Sequence, residues 1–595
     1  MKESVLLVAA VALGYTLVTM VLDSRDLFPA WVDVTGPVTT FETRTVPDPL
    51  ERLAGRRRCW RRVANVGVVV SYVLLAVSLV LVVLAAYAAV TRDAASEVNR
   101  PRNVLVVPGV NDFLPLAAAP EIVVALFVGI VVHELGHGLL ARVESVDIRS
   151  MGLIVLALLP FGAYVDMDGE ERGASPAARS RIYAAGVTSN LVVALGCLFL
   201  LGTIVTTSIA VVPGLAVGGV VPGSPADDAG LERGDVLTAV NGTPIEDDDD
   251  LAAALEAGGR TVEVDRADGE SVTVNRSVVV MRAAGAGPNE FDPGTEIAAV
   301  DGRAVHSVSG LERELESRSD PVVPVTVRTP DGDGDTRERN ATLVAGAFVD
   351  AVVADGPLAD AGAPADRPVV VTRIGDEPVR STEDLLAAVS DVQPGETVSV
   401  ALYDGGGLET YQVTFGESET GGAYLGVSLQ RGVGGLSLTD FGVGAYPAAD
   451  HLAVVGGDGS VPVTNTPLDR VFGPLVLPFA GMIGLFTENF GGFVGEVVNF
   501  YTVTGPLSAV GGGVFVAATV LFWTGWLSFL VGVFNCLPVY PLDGGRLLRT
   551  ATDAVVSRSS LSADPAATGR LVAAAVGGIV AFSVGLVVLG PLVFS

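Results

Sequence analysis

Cysteine, lysine and histidine are all scarce in this chain. Cys59, Cys197 and Cys536 are its three cysteines. They lie far apart and two fall in apolar segments, which excludes a disulfide framework and a cysteine zinc cluster. Lys2 is the only lysine, and every other basic residue is arginine. Acids outnumber bases 67 to 37, for a net charge of −30. We therefore expect no nucleic-acid partner, because phosphate repels such a surface. The acids crowd the region from Asp227 to Glu419, including the run Glu246-Asp247-Asp248-Asp249-Asp250. A lysine-poor acidic surface suits high ionic strength, where screening removes self-repulsion. Charge is scarce elsewhere: half of the residues are hydrophobic and the mean hydropathy is +0.52. That excludes an ordinary soluble protein and implies several membrane spans.

Only four histidines are present, and two of them stand four apart in His133-Glu134-Leu135-Gly136-His137. This HExxH motif sits inside an apolar run from Leu116 to Ala141. On a helix both imidazoles face one way and can hold one zinc ion, with Glu134 beside the attacking water. Ionisable side chains within a span cost at least ~2.5 kcal/mol each and usually mark function.

Around that motif the chain reads as follows. Val5 to Val21 is a first span rather than a signal peptide, since no small-residue cleavage site follows it. Residues 23–63 are a polar loop ending in Arg56-Arg57-Arg58-Cys59-Trp60-Arg61-Arg62, a juxtamembrane basic cluster that places the loop in the cytoplasm. Val63 to Val90 is the second span, and a loop rich in Pro and Asn leads to the HExxH span. Further arginines lie at Arg142, Arg149, Arg172, Arg179 and Arg181, and at Arg546, Arg549, Arg558 and Arg570. All the basic loops fall on one side, so both termini lie outside and the histidines lie near the cytoplasmic end. Met151 to Asp166 is too short and broken to span, and reads as a re-entrant hairpin. Ile182 to Val212 is the fourth span and carries Asn190. The fifth runs from about Ala509 to Leu537 and the sixth from Leu571 to Leu592. Leu475 to Phe500 is apolar but broken by Gly and Pro, as an interfacial or re-entrant element would be. His306 and His451 read as surface histidines.

Residues 213–430 differ in character, with more Gly, Pro and acid and short β-branched runs. Gly223-Ser224-Pro225-Ala226 through Asn241-Gly242-Thr243-Pro244-Ile245 resembles a PDZ domain. Weaker echoes start at Pro293 and Gly356, which suggests two or three β-rich units in tandem. The Gly-Leu-Gly-Phe-type loop of PDZ domains comes first; here the fitting stretch, Tyr424-Leu425-Gly426-Val427, comes last. That order implies a circularly permuted PDZ whose Tyr424, Leu425 and Gly426 take a peptide end. The three N-x-S/T sequons at Asn241, Asn275 and Asn340 agree with an external location.

The fifth span ends Asn535-Cys536-Leu537-Pro538-Val539-Tyr540-Pro541-Leu542-Asp543-Gly544-Gly545. Two prolines break the helix there. A catalytic zinc needs a third protein ligand and an open position for water. Asp543 is the best candidate on the same side, with Cys536 a weaker rival because thiolates favour closed structural sites.

HExxH in one span, N-x-x-P-x-x-P-L-D-G-G at the end of a later one, and PDZ-like units between them resemble the site-2 protease family of intramembrane zinc proteases. Thr504-Gly505-Pro506 and the pair Gly186 and Asn190 also match. The resemblance covers about Leu116 to Leu548. It implies Zn2+ on His133, His137 and Asp543, Glu134 as general acid/base, and Asn190 as a substrate or intermediate contact; Asn535 and Gly162 are further expected substrate contacts. The partners implied are a transmembrane-helix substrate, membrane lipid, and peptide or protein ends at the PDZ-like units.

The expected architecture is a polytopic α-helical membrane protein of about six spans with an inserted β-rich, extracytoplasmic PDZ-like region. Its parts are accessory spans at 1–115, catalytic core at 116–212 and 508–595, PDZ-like units at 213–430, and a linker at 431–507. The expected function is hydrolysis of peptide bonds in or near transmembrane helices, releasing a regulator after a prior cut. The alternatives are a non-catalytic PDZ scaffold in the cell membrane and a different HExxH membrane protease.

Overall fold

The computed structural model describes the chain apart from residues 1, 46, 92–108, 110–114, 158, 168, 170–172, 285–287, 290, 331–335, 419–420, 458, 460–468, 558–564 and 594–595. Arg172, Arg558 and nearly all of the Pro- and Asn-rich loop therefore lie outside the described residues. The chain divides into two compact units, Met1–Val211 with Ala448–Ser595, and Val212–Pro447.

The first unit is helical. Its main helices are α1 (Lys2–Asp23), α2 (Arg57–Thr91), α3 (Ala119–Val143), α4 (Pro176–Ser208), α5 (Gly513–Asn535), α6 (Asp543–Val556) and α7 (Pro565–Val593). Among the described residues five stretches are long and apolar enough to cross a membrane, on α2, α3, α4, α5 and α7. The described apolar part of α1, Ala12–Asp23, is shorter. Small residues let the central helices approach closely, as in membrane bundles generally. A Cβ on Gly136 of α3 would lie 2.8 Å from the Ala185 carbonyl oxygen of α4. On α5, one on Gly532 would touch the Asn190 Cβ at 3.5 Å.

Residues 151–166 do form a hairpin, but it is half of a larger sheet. Strands β1 (Val32–Thr35), β2 (Val38–Thr43), β3 (Ser150–Leu156) and β4 (Leu159–Asp166) pair in the order β1-β2-β3-β4, all antiparallel. The polar loop expected at 23–63 thus supplies two strands. Register is fixed where Gly152 faces Tyr164. The Tyr164 ring lies over the bare glycine and its hydroxyl donates to Glu42 Oε2 at 3.2 Å, two strands away. The β4 edge has no strand partner among the described residues.

Below the sheet, Glu144 follows the last turn of α3. Its carboxylate accepts from Arg61 Nε of α2 at 3.0 Å and Arg181 Nε of α4 at 2.8 Å. Burial alone would push Glu144 up, but the hydrogen bonds from Arg181 and Arg61 hold it below the usual carboxylate range. The accessory helix is thereby tied to the two helices that form the site.

The apolar segment 475–500 contains no spanning helix. It packs against α5 through rings: Phe479 on Trp526 at 5.7 Å and Phe490 on Phe522 at 5.2 Å. Trp526 Nε1 donates to the Leu475 carbonyl and Trp523 Nε1 to that of Gly491. His451, expected at the surface, is fully buried and packs edge-on against Phe486 at 5.1 Å. Its ring is held neutral, because burial pushes its pKa down to about 4. His306 is exposed.

The second unit contains three β modules, and they are nested rather than in tandem. Each is a five-strand path with one short extra strand, and each path ends on an edge strand from the C-terminal end of the region. The innermost module begins at Ala347–Val352 and is closed by Val427–Gln430. The middle one begins at Val278–Ala283 and is closed by Leu436–Thr439. The outermost begins at Leu215–Val220 and is closed by Val443–Ala445. The closing strands therefore appear in reverse order. In all three the closing strand is the last of the module in sequence, and the second unit runs on to Pro447. Separate apolar cores, built on Leu237, Ile297 and Val371, lie inside the three modules.

Candidate metal centre

Helical spacing puts His133 and His137 one turn apart on the buried face of α3, each 6% exposed. Asp543 arrives from the far end of the chain. After α5 the Pro538–Pro541 loop turns back, and α6 starts at Asp543. The glycines that follow make this turn possible. A Cβ on Gly544 would lie 2.3 Å from the Cys536 carbonyl oxygen. Asp543 Oδ2 then sits 3.1 Å from His133 Nε2 and 3.0 Å from His137 Nε2. The two Nε2 atoms are 3.2 Å apart. Tetrahedral zinc, with bonds of about 2.0–2.1 Å, separates its ligand atoms by about 3.3 Å. Two imidazoles and a carboxylate at this spacing fit zinc in both chemistry and reach. Cys536 is buried nearby but does not belong to the group.

The second nitrogen of each ring is also accounted for. His137 Nδ1 lies 2.8 Å from the Ile182 carbonyl of α4, which can only accept. Nδ1 therefore carries a proton, which leaves Nε2 as the nitrogen that can ligate. Asn190, fully buried on α4, places its amide 3.4 Å from His133 Nδ1, and its Oδ1 has no partner. Turning that amide by 180° gives His133 Nδ1–H an acceptor and pairs the orphaned oxygen. Both rings then turn Nε2 to the same point, the arrangement a metal ligand needs. Asn190 was expected to touch substrate. In this structure it is fully buried, with its amide against His133.

Gly186 completes the cradle. A Cβ there would lie 2.5 Å from His137 Nε2 and 2.6 Å from His133 Nε2. The helix backbone cannot shift away without disturbing the Ile182 contact. Gly186→Ala is expected to weaken zinc affinity about 10–100-fold, the usual weight of a group supporting the ligands. A zinc competition titration of the purified variant checks this.

The model of peptidase family M50 matches residues 121–580. The chain belongs to this family. Its five membrane-length helices make this M50 member a multi-pass membrane protein. It is 31% identical over 139 residues to an uncharacterized protein of Methanocaldococcus jannaschii, covering 22% of this chain and 36% of that one. A Clostridium perfringens protein named "Putative zinc metalloprotease" is 29% identical over 184 residues, or 26% of this chain and 52% of that one. These matches thus span about a third to a half of the relatives' length. The serine protease PepD of Mycobacterium tuberculosis is 45% identical over 75 residues, 12% of this chain and 16% of its own.

The remaining expected site residues of this M50 peptidase are scattered. Glu134 is half-buried next to His133, and among the described residues no hydrogen bond or ion pair ties up its carboxylate. Gly162 lies on β4 with open space where a Cβ would stand. Asn535 is half-buried at the end of α5, and its Nδ2 turns back to the Val531 carbonyl of its own helix. Tyr424, Leu425 and Gly426 belong to the innermost β module. There the Leu425 and Gly426 carbonyls accept from Leu358 and Val353.

Proposed function

We propose that this M50 peptidase is an intramembrane zinc metalloprotease that cuts within or beside transmembrane helices of other proteins. The observation that carries this reading is the convergence of His133 and His137, on the membrane-length α3, with Asp543, at the start of α6 and more than four hundred residues later in sequence, all three buried. His133, His137 and Asp543 would hold the metal. Bound zinc supplies Lewis acidity to the scissile carbonyl and to the attacking water. Glu134 takes the proton from that water and passes it to the leaving amine. Asn190 and the Ile182 carbonyl hold the two imidazoles in place.

A substrate helix hides its peptide bonds in its own hydrogen bonds, so it must unwind before it is cut. The β4 edge, which has no strand partner among the described residues, would offer replacement bonds to the extended segment, and Gly162 leaves room for close approach. With the arginine-rich loops in the cytoplasm, the β modules face outside and the metal lies toward the cytoplasmic side. Tyr424-Leu425-Gly426 would then receive a peptide end left by an earlier cut, and the enzyme would release a membrane-held regulator. The test is cleavage of a single-span model substrate by the purified chain in lipid vesicles. We expect chelation to abolish cleavage and stoichiometric zinc to restore it. Cleavage that survives complete zinc removal would defeat the reading.

A further inference from the structure

A polar cavity of about 310 Å³ opens where β4 ends, lined by Asp166, Arg179, Tyr183, Arg546, Arg549 and Thr550, among others. Three arginines share it with one described carboxylate, in a chain that is otherwise strongly acidic. None of the three has an ion-pair partner among the described residues, whereas neighbouring Arg181 is committed to Glu144. Arg179 Nε is buried without a hydrogen-bond acceptor, a cost that a bound anion removes. Arg546 stacks 5.8 Å over the Tyr183 ring, which fixes the guanidinium plane and leaves its N–H edge free. Arg179 also lies in the first turn of α4, where the helix dipole favours an anion.

The position of the cavity says which anion. It is one residue from Ile182, whose carbonyl holds His137, and one helical turn from Asp543. Val165 and Asp166, the last residues of β4, line the cavity, so an extended segment paired along β4 would leave the strand beside it. Guanidinium forks match carboxylates in two-point geometry.

We infer that this cavity is a substrate subsite for an acidic side chain on the Asp166 side of the cleaved bond. The inference rests on the protease reading above, but its test reads binding and not turnover. The probe is a set of fluorescent single-span peptides in detergent micelles, with Asp or Asn placed at each position in turn. Their Kd is measured on the zinc-loaded full chain carrying Glu134→Gln, so that no peptide is consumed. At one or two adjacent positions Asp should bind about 10-fold tighter than Asn, the order of a partly exposed charge-assisted pair. Adding Arg179→Gln and Arg549→Gln should erase that preference and leave zinc content and Asn-peptide affinity unchanged. Equal Kd for Asp and Asn at every position overturns the subsite, as does a preference that survives in the arginine variants. If the peptides bind with the predicted preference but the wild-type chain cuts none of them, the protease reading fails and the subsite stands.

Discussion

Glu134→Gln is expected to lower cleavage of a model transmembrane substrate roughly 10²–10⁴-fold while zinc content and membrane insertion stay unchanged. The metal is fixed by His133, His137 and Asp543, whose donor atoms already meet without Glu134. Glutamine keeps the size of the side chain and one hydrogen-bonding oxygen, but cannot take a proton at neutral pH. Glu134 is half-buried with a free carboxylate, so the substitution breaks no internal ion pair and little stability should be lost. Activity and metal content therefore separate in this variant. A scaffold that only binds zinc would show no such separation, because it has no activity to lose.

Asp543→Asn is expected to do the opposite and remove the metal itself. The carboxylate is 5% exposed and stands against two imidazole nitrogens, so its negative charge is what offsets a divalent cation in a buried site. An amide keeps the shape and loses the charge. Since groups that merely support ligands cost 10–100-fold, loss of a ligand should exceed about 100-fold in zinc affinity. Activity should fall with metal occupancy and return in part at high zinc. Equal zinc content in wild type and variant, measured on purified protein, would remove Asp543 from the ligand set.

The two halves of this site were legible in the sequence for different reasons. His133 and His137 are local: helical periodicity alone puts them on one face. Asp543 became a candidate because two prolines break the helix beside it, although nothing local says that it reaches α3. The groups behind the ligands were less visible. The contact of Asn190 with His133 could not be read, since a polar residue in a span can face substrate or another helix equally well. Gly186 was noticed only as part of a pattern. Its reason, the 2.5 Å gap to His137, is a matter of tertiary packing.

Strand pairing was harder still. Strands β1 and β2 carry short β-branched runs around Gly36-Pro37, a hairpin signal masked by the charged residues on either side. The nested modules depend on closing strands of three or four residues, whose partners lie as far as 228 positions upstream (Ala445 to Val217). Such strands have no periodicity to read. A usable trace exists in Leu425-Gly426-Val427 and Phe441-Gly442-Val443, where an apolar-Gly-apolar step precedes two of the three closing strands. His451 shows the converse problem. A lone histidine in a Gly- and Pro-rich stretch gives no sign that Phe486 and Phe490 will close around it.

The central claim is that the buried ligand set hydrolyses peptide bonds at membrane depth. Its most direct test maps the products of wild-type cleavage by mass spectrometry, using a single-span substrate in sealed lipid vesicles and the Glu134→Gln chain as control. The account predicts new termini inside the substrate's apolar segment or within a few residues of its end, present with wild type and absent with the variant. Termini confined to the soluble flanks of the substrate, or identical products from both proteins, would contradict it.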